Sequence, residues 1–88
     1  MTSIGYKVVL TKPAEKHLDD LPSIVRPRVA EALRGLSDNP RPRKCKKLED
    51  LRGYRVSVGD YRILFRIDDR AKVVTVYKIK HCREAYRS

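Results

Sequence analysis

The stretch from Gly53 to Asp68, GYRVSVGDYRILFRID, constrains the fold more than any other. Apolar side chains alternate on both sides of Gly59-Asp60, as on strands with one buried face. Two such runs joined by a two-residue, glycine-first loop predict a hairpin with a type II′ turn. The register follows. Val58 faces Tyr61, Ser57 faces Arg62, Val56 faces Ile63, Arg55 faces Leu64 and Tyr54 faces Phe65. Successive side chains leave opposite faces of a strand. One face therefore carries Tyr54, Val56, Val58, Tyr61, Ile63, Phe65 and Ile67, which makes it the core face. The open face carries Arg55, Ser57, Arg62, Leu64 and Arg66. Arg55 and Arg62 become diagonal neighbours, within reach of one shared anion.

The remaining elements follow from periodicity and punctuation. Ile4 to Leu10 is a short β-rich run. Thr11 with Pro13 signals a helix start, and Ala14, Leu18 and Leu21 share one helical face up to Pro22. Ser23 can cap a second helix striped by Val25, Val29, Leu33 and Leu36. Pro27 fits only its first turn, so the helix starts after Ser23 or bends there. Arg41 to Lys47, RPRKCKK, has no apolar period and reads as an exposed basic loop carrying Lys44, Lys46 and Lys47. Asp68 to Lys72 turns the chain into a last strand, Val73 to Lys80. With Ile67 opposite Val73, residues Thr75, Tyr77 and Ile79 join the core face. Val74, Val76, Lys78 and Lys80 then join the open face, with Lys78 opposite Arg62. A five-residue turn leaves room for a slip by one. The tail from His81 to Ser88 reads as a turn of helix. The expected fold is α+β: a mainly antiparallel four-stranded sheet with two N-terminal helices packed on one face, in the order β-α-α-β-β-β-short C-terminal helix.

Eighty-eight residues make one domain, 1–88, with a modest core. Charge is uneven. Residues 1–40 hold six basic and five acidic residues, net +1; residues 41–88 hold 15 and six, net +9. So lopsided a field points to a polyanion or to an acidic protein partner. Repelling cations gathered on one sheet face make sense when an anion sits between them. Cys45 and Cys82, in a chain without a secretion signal at its start, read as reduced thiols. His17, Cys45, His81 and Cys82 lack the spacing of a zinc site, so no metal or other cofactor is expected. No apolar run is long enough for a membrane helix, so no membrane partner is expected.

The element order and the fragments LDDLPSIVRPRV, NPRP at 39–42, KKL at 46–48, GYRVSVGDYRILFRID at 53–68 and HCREAYR at 81–87 resemble the RelE/ParE superfamily of toxins from type II toxin–antitoxin modules, in its RelE-like branch. The resemblance covers nearly the whole chain. It implies a RelE-like fold and a cytoplasmic toxin that cuts messenger RNA in the ribosomal A site without a metal. The ribose 2′-hydroxyl attacks the neighbouring phosphate, leaving a cyclic phosphate and a free 5′-hydroxyl. Such a reaction needs cations that hold charge developing on the phosphate oxygens, and a base and an acid for the two protons. Arginine suits the first task because its planar fork stays charged and grips two oxygens. Position by position, Arg62 matches the family's central phosphate-holding arginine and Arg55 a basic strand residue of the site. Tyr86 matches the late tyrosine that stacks on a base or assists proton transfer. Ser57 stands where the best-studied branch has a second basic residue. Cys82 stands where many members have arginine, with Arg83 next to it. If Arg83 does not stand in for that arginine, activity falls or the proton-transfer roles pass to His81 or Lys78. Lys44, Lys46, Lys47, Lys78, Lys80 and Arg66 would hold RNA or ribosome backbone. The implied partners are the ribosome with its message and a cognate RelB-like antitoxin, in a hetero-oligomeric complex.

Other readings compete. Arg62 could pair with Asp60 or Glu84, Tyr86 could pack on the sheet, and His81 could be structural. His17 reads as a surface residue, and the cysteines as inert. At the level of the molecule, a ParE-like gyrase poison shares the fold and cuts no RNA. A noncatalytic RNA-binding inhibitor of translation would account for the charge alone.

Overall fold

In the computed structural model, which describes residues 5–48 and 53–81, the central hairpin pairs in the expected register, from Val58 opposite Tyr61 to Tyr54 opposite Phe65. Of its two turn residues only Gly59 has a positive φ, 59°, as a type II′ turn requires. The elements run β1 (Lys7–Leu10), α1 (Lys12–Asp19), α2 (Arg26–Asp38), β2 (Lys46–Lys47), β3 (Tyr54–Val58), β4 (Tyr61–Asp68) and β5 (Val73–His81).

Among the described residues the sheet has five strands, not four, in the order β1-β5-β4-β3-β2. It is mixed. β1 lies parallel to β5, with Lys7 opposite Val73 and Leu10 opposite Val76. Both helices intervene after β1, so it cannot pair through a hairpin and joins the far edge instead. The extra strand is Lys46–Lys47, within the stretch expected to be a loop. It pairs antiparallel with β3, and Leu48 N–H donates to the Gly53 carbonyl at 2.8 Å. An edge strand of two lysines has no apolar pattern to reveal it, and charge on an edge discourages further pairing.

The last hairpin also departs from expectation. Asp68 pairs with Val73, and its Oδ1 accepts from the Arg70 and Ala71 N–H groups at 3.1 and 3.0 Å. β4 is therefore longer and the turn shorter than the sequence suggested. Ile67 faces Val74, so Val74 and Val76 are buried and Thr75 leaves on the open side. The register shifts again between Leu64, opposite Lys78, and Phe65, opposite Val76. Tyr77 is the extra residue of this β-bulge. The bulge returns Ile79 to the core opposite Ile63 and sets Lys80, rather than Lys78, opposite Arg62.

Both helices pack on one face of the sheet. Thr11 Oγ1 caps α1 by accepting from Ala14 N–H at 3.3 Å, and Pro13 occupies its first turn. α2 begins at Arg26 with Pro27 in its first turn, which avoids a kink. Its N-cap is Val25, with no side-chain capping bond, rather than Ser23. Arg26 reaches back instead, donating to the carbonyls of Asp19 and Leu21 at 3.3 and 3.1 Å. Val29, Leu33 and Leu36 of α2 meet Ile63, Phe65, Val74 and Val76 of the sheet in one core. The expected C-terminal helix lies outside the described residues.

Candidate nucleic-acid interface

The face turned away from the helices gathers cations from four strands. One row crosses the sheet in register: Lys46 of β2, Arg55 of β3, Leu64 of β4 and Lys78 of β5. The next row is Ser57, Arg62 and Lys80. Arg55 and Arg62 are diagonal across the β3–β4 pair, with Cα atoms about 7–8 Å apart for that geometry. Arg66 lies further along β4, opposite Thr75. Arg55, Arg62 and Lys80 are half-buried; Lys46, Lys78 and Arg66 are exposed. The acid on this side of the described strands is Asp68, at the far end, where it holds the turn. Two forks and three ammonium groups around one patch suit a polyanionic backbone.

The sequence-predicted residues separate into those that meet and those that do not. Lys46, Arg55, Arg62, Arg66, Lys78 and Lys80 share the open face. Lys47 pairs with Tyr54 and by alternation leaves on the helix side, while Lys44 sits in the turn before β2. His81 pairs with Tyr61 at the end of β5 and packs edge-on against its ring, centroids 5.0 Å apart at 81°. It belongs to the helix side, where His17 and Asp20 of the α1 segment line the same cavity of about 340 Å³. Tyr86, Arg83 and Cys82 lie outside the described residues. His17 is no mere surface residue: its Nδ1 accepts from the Ile79 N–H at 3.3 Å. That segment of β5 extends past the end of β1, so α1 supplies an acceptor where no described strand does. Tyr77 was missed, and Val74, Val76 and Ile79 held its signal. Apolar spacings of two and then three can all point inward only across a bulge.

A second cluster positions the basic edge. Arg41 grips Asp69 with both terminal guanidinium nitrogens, at 2.9 and 3.2 Å, and its Nε donates to Tyr54 Oη at 3.2 Å. Tyr6 Oη donates to Asp69 Oδ1 at 2.8 Å. The clamp ties the segment after α2 to the β4–β5 turn and to β3, immediately before that segment becomes β2. Hydrogen bonds from Arg41 and then Tyr6 hold the Asp69 carboxyl below its ordinary value, and the bond to Asp69 holds the Tyr6 phenol above its own. Burial raises the Cys45 thiol, against a smaller opposing effect of Arg41, which keeps it protonated and poorly nucleophilic. Among the described residues no group of three or more His, Cys, Asp or Glu side chains could hold a metal ion, and no helix is long and apolar enough to cross a membrane.

Two helices behind a small mixed sheet, with a cationic face in front, make an α+β fold of the RelE class. Solved structures agree. The chain is similar to the archaeal RelE–RelB complex from Pyrococcus horikoshii OT3, at 30% identity and a TM-score of 0.80, covering 90% of this chain and 97% of that one. It is similar to the RelBE2 toxin–antitoxin complex from Mycobacterium tuberculosis, at 31% identity and a TM-score of 0.80, covering 91% and 94%. The intact E. coli RelBE complex shares the fold at 24% identity and a TM-score of 0.76, covering 86% and 95%. No curated protein sequence matches significantly. The family profile described as "ParE toxin of type II toxin-antitoxin system, parDE" matches residues 8–86. The chain belongs to this RelE/ParE superfamily and is a toxin of a type II toxin–antitoxin system.

Proposed function

We propose that this toxin is a ribosome-dependent endoribonuclease that cuts messenger RNA in the A site, in the cytoplasm, with residues 1–88 acting as one domain. The observation that carries the reading is the cationic face, with Arg55 and Arg62 diagonal across one hairpin. A phosphate between them would find its developing charge met by two guanidinium forks, in the arrangement that stabilises a phosphoryl transition state. The 2′-oxygen attacks phosphorus, its proton passes to a base, and the 5′-oxygen leaves with a proton from an acid. Tyr86, Arg83 and His81 are the candidates for those transfers and for stacking on the base. Lys46, Lys78, Lys80 and Arg66 would hold the flanking backbone, with Lys44 and Lys47 reaching ribosomal RNA. A RelB-like antitoxin would join the toxin in a hetero-oligomer, as in the toxin–antitoxin complexes it resembles, and would keep it silent.

Primer extension on a defined message, with and without ribosomes, tests the reading. New 3′ ends in phase with codons, appearing only with ribosomes and absent with Arg62→Ala, are expected. Intact message with the parent chain would overturn it. The match to the ParE profile favours a second reading, a gyrase poison acting by protein contact. Inhibited DNA supercoiling alongside intact message would establish that one.

A further inference from the structure

The β-bulge on β5 puts an aromatic ring on the cationic face. A bulge sets two residues against one, and both side chains leave on the side of the facing residue. Tyr77 and Lys78 share Leu64 in this way. The Tyr77 ring then meets Arg66, whose guanidinium carbon lies 5.1 Å from the ring centroid. Tyr77 Oη is buried and makes no hydrogen bond among the described residues, so this position offers a ring rather than a hydroxyl. Arg66 is exposed, and its guanidinium carbon lies over the Tyr77 ring. Beside it opens a shallow cavity of about 490 Å³, lined by Arg66, Thr75 and the Asp68–Arg70 turn. That size lies within the usual range for small-ligand sites. Four residues of strand, about 13 Å, separate Arg66 from Arg62, so one RNA strand can reach both.

We propose that Arg66, backed by Tyr77, is a stacking platform for one nucleobase of the bound RNA, with the guanidinium between tyrosine and base. Bases stack on arginine planes as they do on aromatic rings, and a lysine at this position would keep the charge but not the plane. Arg66 thus does more than contact phosphate, and Tyr77 is a positioning residue that holds its plane. The inference rests on the reading of this face as an RNA site.

The test uses ribosomes holding a message that is 2′-O-methylated in the A-site codon, so that it cannot be cut. Fluorescent 2-aminopurine is placed at successive positions in and after that codon. Binding of the toxin should quench one position, because stacking quenches this base. Tyr77→Phe should keep the quenching. Tyr77→Leu and Arg66→Lys should abolish it and weaken binding by roughly 5- to 150-fold. Full quenching in Tyr77→Leu and Arg66→Lys would overturn the platform. So would cleavage of unmodified message by the parent chain with no quenching at any position, and then the ribonuclease reading would stand. No binding to programmed ribosomes together with intact message would remove both.

Discussion

Arg62 and Phe65 stand three residues apart on β4 and leave opposite faces, so they separate activity from stability. Phe65 is fully buried among helix and sheet residues. Phe65→Ala should cost about 3–5 kcal/mol, read by denaturant unfolding. Arg62→Ala removes a half-buried open-face cation and should change stability by about 1 kcal/mol or less while abolishing toxicity in cells. Normal growth arrest by that variant would remove Arg62 from the site. His17 is the counterexample to reading a lone helical histidine as surface. Its removal by His17→Ala leaves the N–H of buried Ile79 without that acceptor, with an expected loss of about 1–3 kcal/mol in the same measurement. Nothing in the spacing of α1 announces this bond, because it depends on where β1 stops relative to β5.

At the scale of elements, what the sequence disclosed depended on how local the determinants were. The β3–β4 hairpin was legible because a two-residue turn leaves a single register, which the alternation then confirms residue by residue. The β4–β5 hairpin was not, because Asp68 could serve as strand or turn, and only burial decided for Val74 and Val76. The cationic face survived that error. The bulge at Tyr77 cancelled the slip before Lys78 and Lys80. β2 was invisible, since its place depends on the Arg41 clamp and on backbone pairing with β3. The clamp carries its own pH dependence. The Asp69 carboxyl is depressed in the fold, so its contribution to stability is present above its ordinary value of 3.8 and is lost as pH falls through the lower folded value. The Tyr6 phenol is raised, so its contribution is present below 10.0 and is lost as pH rises through the higher folded value. Asp69→Asn should therefore differ from the parent in thermal stability across the neutral range and converge with it in strong acid. An equal difference at low and neutral pH would show that the clamp acts by shape rather than charge.

For the whole molecule the governing quantity is charge. A net +10 on 88 residues, concentrated after residue 40, favours any polyanion at long range, whatever the chemistry at the centre of the face. Attraction of this kind must weaken with salt in proportion to the phosphates neutralised. If Lys46, Arg55, Arg62, Lys78 and Lys80 each replace one counterion on a single strand, log affinity should fall against log salt with a slope of about −3.5. Arg55→Gln should flatten that slope by about 0.7, whereas Lys47→Gln, on the other side of the sheet, should leave it nearly unchanged. Fluorescence anisotropy of a labelled single-stranded RNA over a salt series reads both. Equal flattening by the two variants would mean that the RNA follows the whole basic edge rather than the open face. The arrangement also sets what an antitoxin must do. Cancelling the field from a distance would slow encounter with a polyanion, but only a segment covering the open face would remove the proposed site itself. A silent complex that still bound RNA with the parent slope would show that inhibition acts elsewhere than on this face.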